Sequence, residues 1–265
     1  MINYKKNKKI YKVNDLGSLY IDESKIKVNE QPIIYIGGQM GPKGHVKESK
    51  SGYTKDKNHN NYTGSWMYDY SLNTANKMEV NGENFANSLI ADITLANLSD
   101  VVLLTGSYGG IIGAYATKSD RISKVIAVHP PILGTPIANP KYLKSLNIYY
   151  TKLQKLLLKY ICMTNPYIFG FEYDNFNGLD INKVNLNKLL VIGNSVKLNL
   201  EKNPIVLELY DIIKKATGKE NDGVIVFEPK EFEQKGINYF ISENYNNHFS
   251  YSKLDNMKKI LSIHM

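Results

Sequence analysis

The sequence predicts an α/β fold in which a mostly parallel central sheet is flanked by helices and carries an inserted helical cap. Short apolar runs rich in β-branched residues recur along the chain, and longer stretches with helical spacing separate them. One of these runs, which begins at Val101, leads directly into a serine set among glycines. A length of 265 residues suits one large domain with a sizeable core.

The predicted elements alternate along the chain as a parallel sheet requires. Besides the run at Val101, the predicted strands cover residues 32–36, 66–70, 122–128, 189–193 and 237–242. The predicted helices cover residues 84–98, 204–216 and 252–263, and a polar surface loop covers residues 42–64. An apolar segment at residues 223–227 lies between the last two strands.

The segment 137–185 is predicted to be the helical cap. Asn139 and Pro140 mark a helix start, because Asn caps a helix and proline fits its first turn. Apolar side chains then recur at helical spacing from Leu146 to Ile161. Such a stripe suits packing on the sheet, and it also suits a lid over an acyl-binding site. No linker divides the chain, so residues 1–265 are predicted to be a single domain that contains this insertion.

Composition and charge narrow the function classes. The net charge of +8 is spread along the chain, and the one compact lysine run, within residues 5–9, is predicted to be a solvated tail. No nucleic-acid-binding motif accompanies it, so we expect no nucleic-acid partner, while contact with an anionic membrane stays an alternative. A single cysteine, Cys162, predicts no internal disulfide. Without a signal-peptide pattern or a membrane-length apolar run, we expect a cytoplasmic protein.

Two kinds of bound group are not expected. The turn at residues 37–41 is rich in glycine but lacks the spacing of a dinucleotide-binding or phosphate-binding loop. No cysteine and histidine cluster has the spacing of metal ligands. The sequence therefore predicts a protein that works without a cofactor or metal.

Ser107 is the candidate nucleophile. An apolar strand, a serine between small residues and a helix rich in small residues make up a nucleophile elbow, whose tight turn exposes the serine hydroxyl above a parallel sheet. Gly106 and Gly109 relieve crowding in such a turn. The usual pattern has glycine two residues before the serine, and Thr105 occupies that place here.

A serine nucleophile needs a histidine to accept its proton. The five histidines are His45, His59, His129, His248 and His264. His248 is the preferred base because it follows the last predicted strand, where a loop can return it to the serine. His129 also follows a strand, but two prolines come directly after it.

The acid that orients the histidine is predicted to be Asp222. It lies between Ser107 and His248, which is the chain order of one triad arrangement. An Asp before a glycine is also ordinary turn chemistry, so that explanation stays open. Asp180, Asp211 and Glu220 are weaker alternatives.

The oxyanion of an acyl-transfer intermediate needs backbone N–H donors. The N–H of Tyr108, directly after the serine, is one candidate donor. The N–H of Gln39, in the glycine-rich turn after the first strand of the sheet, is the other.

These segments together resemble the α/β-hydrolase superfamily, and within it the branch that resembles triacylglycerol lipases. The resemblance includes residues 128–136, which are similar to the Pro-His-x-Gly-Thr-Pro stretch of such lipases. It implies Ser107 as nucleophile, Asp222 as acid, His248 as base, and Gln39 and Tyr108 as oxyanion donors.

The predicted function is hydrolysis of carboxylic esters through an acyl-enzyme on the serine. The same machinery serves acyltransferases and thioesterases, and an inactive hydrolase fold that binds a ligand is a further alternative. A lipid or small-molecule acyl ester is the predicted substrate. The sequence leaves the oligomeric state open.

Overall fold

A computed structural model describes residues 2–3, 8–22, 31–38, 66–70, 81–149, 151–152, 178–194, 204–242, 259–260 and 262–265. Its strands are β1 (Ile2–Asn3), β2 (Lys8–Tyr11), β3 (Gly17–Asp22), β4 (Ile33–Ile36), β5 (Trp66–Tyr70), β6 (Val101–Gly106), β7 (Ile122–Val128), β8 (Leu189–Gly193) and β9 (Asn238–Ile241). The main helices are α1 (Gly82–Leu95), α2 (Gly109–Ala116), α3 (Pro140–Ser145), α4 (Pro204–Thr217) and α5 (Pro229–Gln234).

The strands form one sheet in the order β1-β2-β3-β5-β4-β6-β7-β8-β9. From β5 to β9 neighbouring strands are parallel, whereas β1, β2 and β3 pair antiparallel with their neighbours. The predicted mostly parallel sheet is therefore confirmed. Because the carboxyl ends of parallel strands meet at one edge, the residues that directly follow β4, β6, β7 and β8 lie along that edge.

Strand β6 lies at the centre of the core, and all six of its residues are buried. Its side chains alternate between the two faces of the sheet. Leu103 packs in the cluster that includes buried residues of α1 and α2. Val102 and Leu104 face a second cluster that includes Ile260 near the end of the chain. Helical residues cover both faces, which explains why the central strands are mostly apolar.

Helix α1 begins two residues earlier and ends three residues earlier than the predicted 84–98. Its start is fixed by Asn81, whose side chain accepts a hydrogen bond of 2.8 Å from the N–H of Asn84. Beyond its end, Asn97 has a φ of +54°, a left-handed conformation that cannot continue a right-handed helix.

The start of the predicted cap stripe is wrong. The helix that begins at Pro140 ends at Ser145, with the Asn139 cap as predicted. Asn147 then has a φ of +57°, which stops the helix. Leu146 and Tyr149 lie beyond it and are exposed, so they belong to no continuous apolar face. Residues 153–177, with the rest of the stripe and Cys162, lie outside the described residues.

The lysine run near the N-terminus is not simply a tail. Lys8 and Lys9 belong to β2, which pairs with β3, whereas residues 4–7 lie outside the described residues. Leu19 and Ile21 of β3 point into the core and hold this hairpin on the sheet.

Helix α5 also had no counterpart among the predicted elements. The predicted closing helix is described only at residues 259–260 and 262–264, which are helical.

Candidate active site

Ser107 lies in a tight turn between β6 and α2. Its φ is +50°, a left-handed conformation that is uncommon for a residue with a side chain. Its backbone N–H donates to the carbonyl of Val128 at 2.9 Å, and its own carbonyl accepts from Gly110 at 2.8 Å. Ser107 is partly exposed, although every residue of β6 before it is buried. The turn thus lifts a serine out of the sheet at its carboxyl edge.

The glycines after the serine allow the start of α2 to approach the ends of two strands. A Cβ added at Gly109 would lie 2.5 Å from the carbonyl oxygens of Ile36 and Gly37. A Cβ added at Gly110 would lie 2.4 Å from the Cβ of Pro130. Neither contact leaves room for a side chain, so this turn can form only with glycine at both positions.

Thr105 fits the elbow because helix α2 makes room for it. The Thr105 side chain is buried. A Cβ added at Gly113 would lie 2.8 Å from Thr105 Cγ2 and 2.9 Å from Val125 Cγ1. At this contact the glycine is therefore on the helix, at position 113, instead of on the strand, at position 105. The mismatch with the usual elbow pattern is compensated in space.

Asp222 is fully buried in the loop between α4 and α5, which we call the acid loop (residues 220–228). Its Oδ1 accepts hydrogen bonds of 2.9 Å from the backbone N–H groups of Val224 and Ile225. The adjacent Gly223 has a φ of +89° and donates to the side chain of Asn221 at 3.0 Å. The turn chemistry considered at the sequence level is present, and the carboxylate is also held inside the protein.

The second carboxylate oxygen contacts His129. Asp222 Oδ2 lies 2.8 Å from His129 Nδ1, and both side chains are fully buried. His129 follows β7 directly and has a φ of +48°. Sequence reasoning missed this contact, because the two residues are 93 positions apart and each lies in a loop. The only signal was a histidine between a buried strand and two prolines.

Strand register places His129 beside Ser107. Gly106 of β6 pairs with Val128 of β7, so the two residues that follow lie at the same level of the sheet. His129 in turn donates its N–H to the carbonyl of Ile192 in β8 at 2.7 Å. The ends of β6, β7 and β8 thus bring the candidate nucleophile and the buried His129–Asp222 pair to one edge.

Two predicted site residues, Gln39 and His248, lie outside the described residues, as do His45 and His59. Tyr108 is buried and directly precedes α2, so its N–H lies at the start of that helix. Its role as an oxyanion donor stays a prediction.

The described residues contain no group of three or more His, Cys, Asp or Glu side chains arranged to hold a metal ion. Within the same part of the chain, every helix is too short or too polar to span a bilayer.

The comparisons with known proteins identify the fold. No family model and no curated protein matches the sequence. Solved structures do match over nearly the whole chain. The fold is that of the α/β-hydrolases.

Three similar structures illustrate this α/β-hydrolase fold. An α/β-hydrolase enzyme from a deep-sea metagenome library has a TM-score of 0.57 at 10% identity, covering 96% of both chains. An esterase from Exiguobacterium antarcticum has a TM-score of 0.54 at 13% identity, covering 96% of both chains. A proline iminopeptidase-related protein from Thermus thermophilus has a TM-score of 0.53 at 10% identity, covering 96% of this chain and 97% of its own. Identities this low establish the fold alone.

Proposed function

We propose that this protein is a serine hydrolase that cleaves carboxylic esters through an acyl-enzyme on Ser107. The observation that carries the proposal is the left-handed turn of Ser107, partly exposed at the carboxyl edge of the sheet. A strained residue at such an edge suits a nucleophile, because the strain keeps the hydroxyl away from the backbone of the sheet. The buried Asp222 at the same edge supports an acid that orients a histidine base.

In the proposed mechanism His248 is the base, by its position after the strand that ends the sheet. It accepts the proton of the Ser107 hydroxyl as the oxygen attacks the ester carbonyl. The oxyanion is stabilised by the N–H groups of Tyr108 and Gln39. The ester C–O bond then breaks, the leaving alkoxide takes the proton from His248, and the acyl group stays on Ser107. A water attacks this acyl-enzyme while His248 accepts its proton, and His248 returns the proton to the Ser107 oxygen as the acid leaves.

The experiment is labelling with a fluorophosphonate probe together with turnover of p-nitrophenyl acetate. We expect the wild-type protein to be labelled once per chain, and Ser107→Ala to lose the label and about 10⁴-fold or more in kcat. Ser145→Ala is the matched control, because it removes an exposed serine hydroxyl that donates to the carbonyl of Tyr142 within α3. This control should be labelled as fast as the wild type.

A folded wild-type protein that neither takes the label nor turns over activated esters would contradict the proposal. Labelling that persists in Ser107→Ala would place the nucleophile elsewhere. Transfer of the acyl group to an added alcohol or thiol, measured against hydrolysis in the same assay, separates the acyltransferase and thioesterase alternatives from the hydrolase.

A further inference from the structure

Asp222 accepts hydrogen bonds from two backbone N–H groups and also contacts a side chain. Val224 and Ile225 supply backbone N–H groups to Oδ1, and His129 meets Oδ2 through Nδ1 at 2.8 Å. An ionised carboxylate only accepts hydrogen bonds, so the Nδ1 of His129 must carry a hydrogen in this contact. The two backbone donors fix one oxygen, and His129 fixes the other.

We propose that His129 is a positioning residue that holds the carboxylate of Asp222 in the orientation needed by the base. This inference rests on the proposed serine hydrolase function. Each carboxylate oxygen has two lone pairs, so Oδ2 can accept from His129 and still accept from a second imidazole. Without His129, the backbone N–H groups of Val224 and Ile225 would still hold Oδ1, but Oδ2 would lose the contact that helps to set its direction.

The backbone around His129 is built to keep the ring in place. Its φ of +48° is strained for a residue other than glycine, and such strain persists only where the surroundings hold it. Its N–H donates to Ile192 at 2.7 Å, and Pro130 and Pro131 follow it, both buried. The ring itself is fully buried. The ring of this constrained residue contacts the acid loop at Asp222 Oδ2.

A backbone hydrogen bond ties the two loops together. The N–H of Val226, in the acid loop, donates to the carbonyl of Gly134 at 3.2 Å. Within the acid loop, Asn221 and Val226 form an isolated bridge, and the N–H of Asp222 donates to the carbonyl of Ile225 at 3.1 Å. The contact between His129 and Asp222 is therefore made between two fixed pieces of backbone.

The test uses two amide variants that differ in where the nitrogen lies. In His129→Asn the amide nitrogen is close to the position of Nδ1, and Asn also tolerates a left-handed backbone. In His129→Gln the side chain is longer, and its nitrogen falls near the position of Nε2. Hydrogen bonds to a charged group are strong enough that losing one should slow the reaction about 10-fold to 100-fold.

We expect His129→Gln to lower kcat for p-nitrophenyl acetate at least about tenfold with little change in KM. His129→Asn should keep kcat within about threefold of the wild type. Equal kcat values for the two variants, whether both fast or both slow, would overturn the inference, because a merely structural histidine would not distinguish them. A wild-type protein that fails the fluorophosphonate test would instead overturn the proposed function, and the inference with it.

A measurement on the wild-type protein keeps the inference testable if the variants do not fold. Imidazole ¹⁵N spectra at neutral pH should show Nδ1 of His129 protonated, and Asp222→Asn should shift that resonance. A bare Nδ1 on His129 would overturn the inference.

Discussion

Two carboxylates of this protein are equally buried and differently bound. Asp222 and Asp92 are each fully inaccessible to solvent. Asp222 contacts the two backbone N–H groups and the His129 ring described above, whereas Asp92 receives a backbone N–H from Val13 at 2.7 Å on Oδ1. Its Oδ2 has no hydrogen bond to the part of the chain that the structure describes. Burial raises the pKa of Asp92 to about 7, against the opposing effects of the Val13 N–H and the nearby Lys12 charge.

The difference shows that two equally buried carboxyl groups can have very different sets of hydrogen-bond donors. Burial disfavours the ionised form in both places, and only donors oppose it. Asp222 accepts from two backbone N–H groups and contacts His129, and such donors oppose the effect of burial on a carboxyl group. Asp92, on α1 beneath the turn between β2 and β3, takes the neutral form at moderately acidic pH.

The largest expected effect comes from changing each buried Asp to Asn. Asp222→Asn should lower kcat about 10³–10⁴-fold, because an amide presents the wrong donors to a histidine base and leaves it in the wrong tautomer. Asp92→Asn is the matched control, since it makes the same change in an equally buried residue away from the site, and it should keep kcat within about twofold. Steady-state rates with p-nitrophenyl acetate measure both. Asp222→Asn with nearly full activity would show that Asp222 is not the acid.

The second-largest expected effect is a dependence of the free energy of unfolding on pH, which Asp92 causes. An unfolded Asp ionises near its ordinary pKa, while folded Asp92 stays protonated up to about pH 7. Unfolding thus releases a proton between those values, and the wild-type protein loses stability as pH rises through that window. Asp92→Asn removes this loss and should be more stable than wild type by roughly 2 kcal/mol at about pH 8, with little difference at about pH 4.

Urea unfolding at several pH values measures this gap. Parallel curves for wild type and Asp92→Asn across the whole range would mean that Asp92 is ionised in the folded protein. Burial would then not raise the pKa of Asp92, and the contrast drawn between Asp92 and Asp222 would be wrong.

The smallest expected effect comes from Lys12. Its charge favours the ionised form of Asp92, and its own ion pair with Asp15, at 2.7 Å, is exposed. Lys12→Met should raise the pKa of Asp92 by a few tenths of a unit, and it should change the free energy of unfolding by less than about 1 kcal/mol. Lys12→Arg keeps the charge and is the control. Carboxyl ¹³C titration measures the shift. An unchanged pKa of Asp92 in Lys12→Met would show that the Lys12 charge does not affect it.

The sequence predicted the parts of the fold in which local pattern and burial agree. Strands β6, β7 and β8 are mostly buried, and most of their residues are apolar. The charged strand β2 was missed because its pairing with β3 is a tertiary contact that its own lysines do not indicate. The stripe after Pro140 was misjudged because one left-handed residue, Asn147, stops a helix that periodicity alone would extend.

Candidate site residues could be chosen from the sequence, but the contacts between them could not. Ser107 and Asp222 stood out because turn chemistry and chain order are local or ordered properties of a sequence. The contact between His129 and Asp222 depends on the register of β6, β7 and β8, which sets loops from distant parts of the chain side by side. Nothing in the residues near either side chain encodes that register.

The glycine at position 113 changes how a nucleophile elbow can be recognised. A sequence pattern that requires a small residue two places before the serine would reject this chain because of Thr105. The structure nevertheless accommodates the Thr105 side chain. Because the Thr105 side chain fills the gap left at Gly113, the requirement belongs to a strand and helix position jointly. Such a requirement is met by a small residue at either place. Elbows with a bulky residue two places before the serine should therefore be sought by a glycine six residues after it, about one turn into the helix.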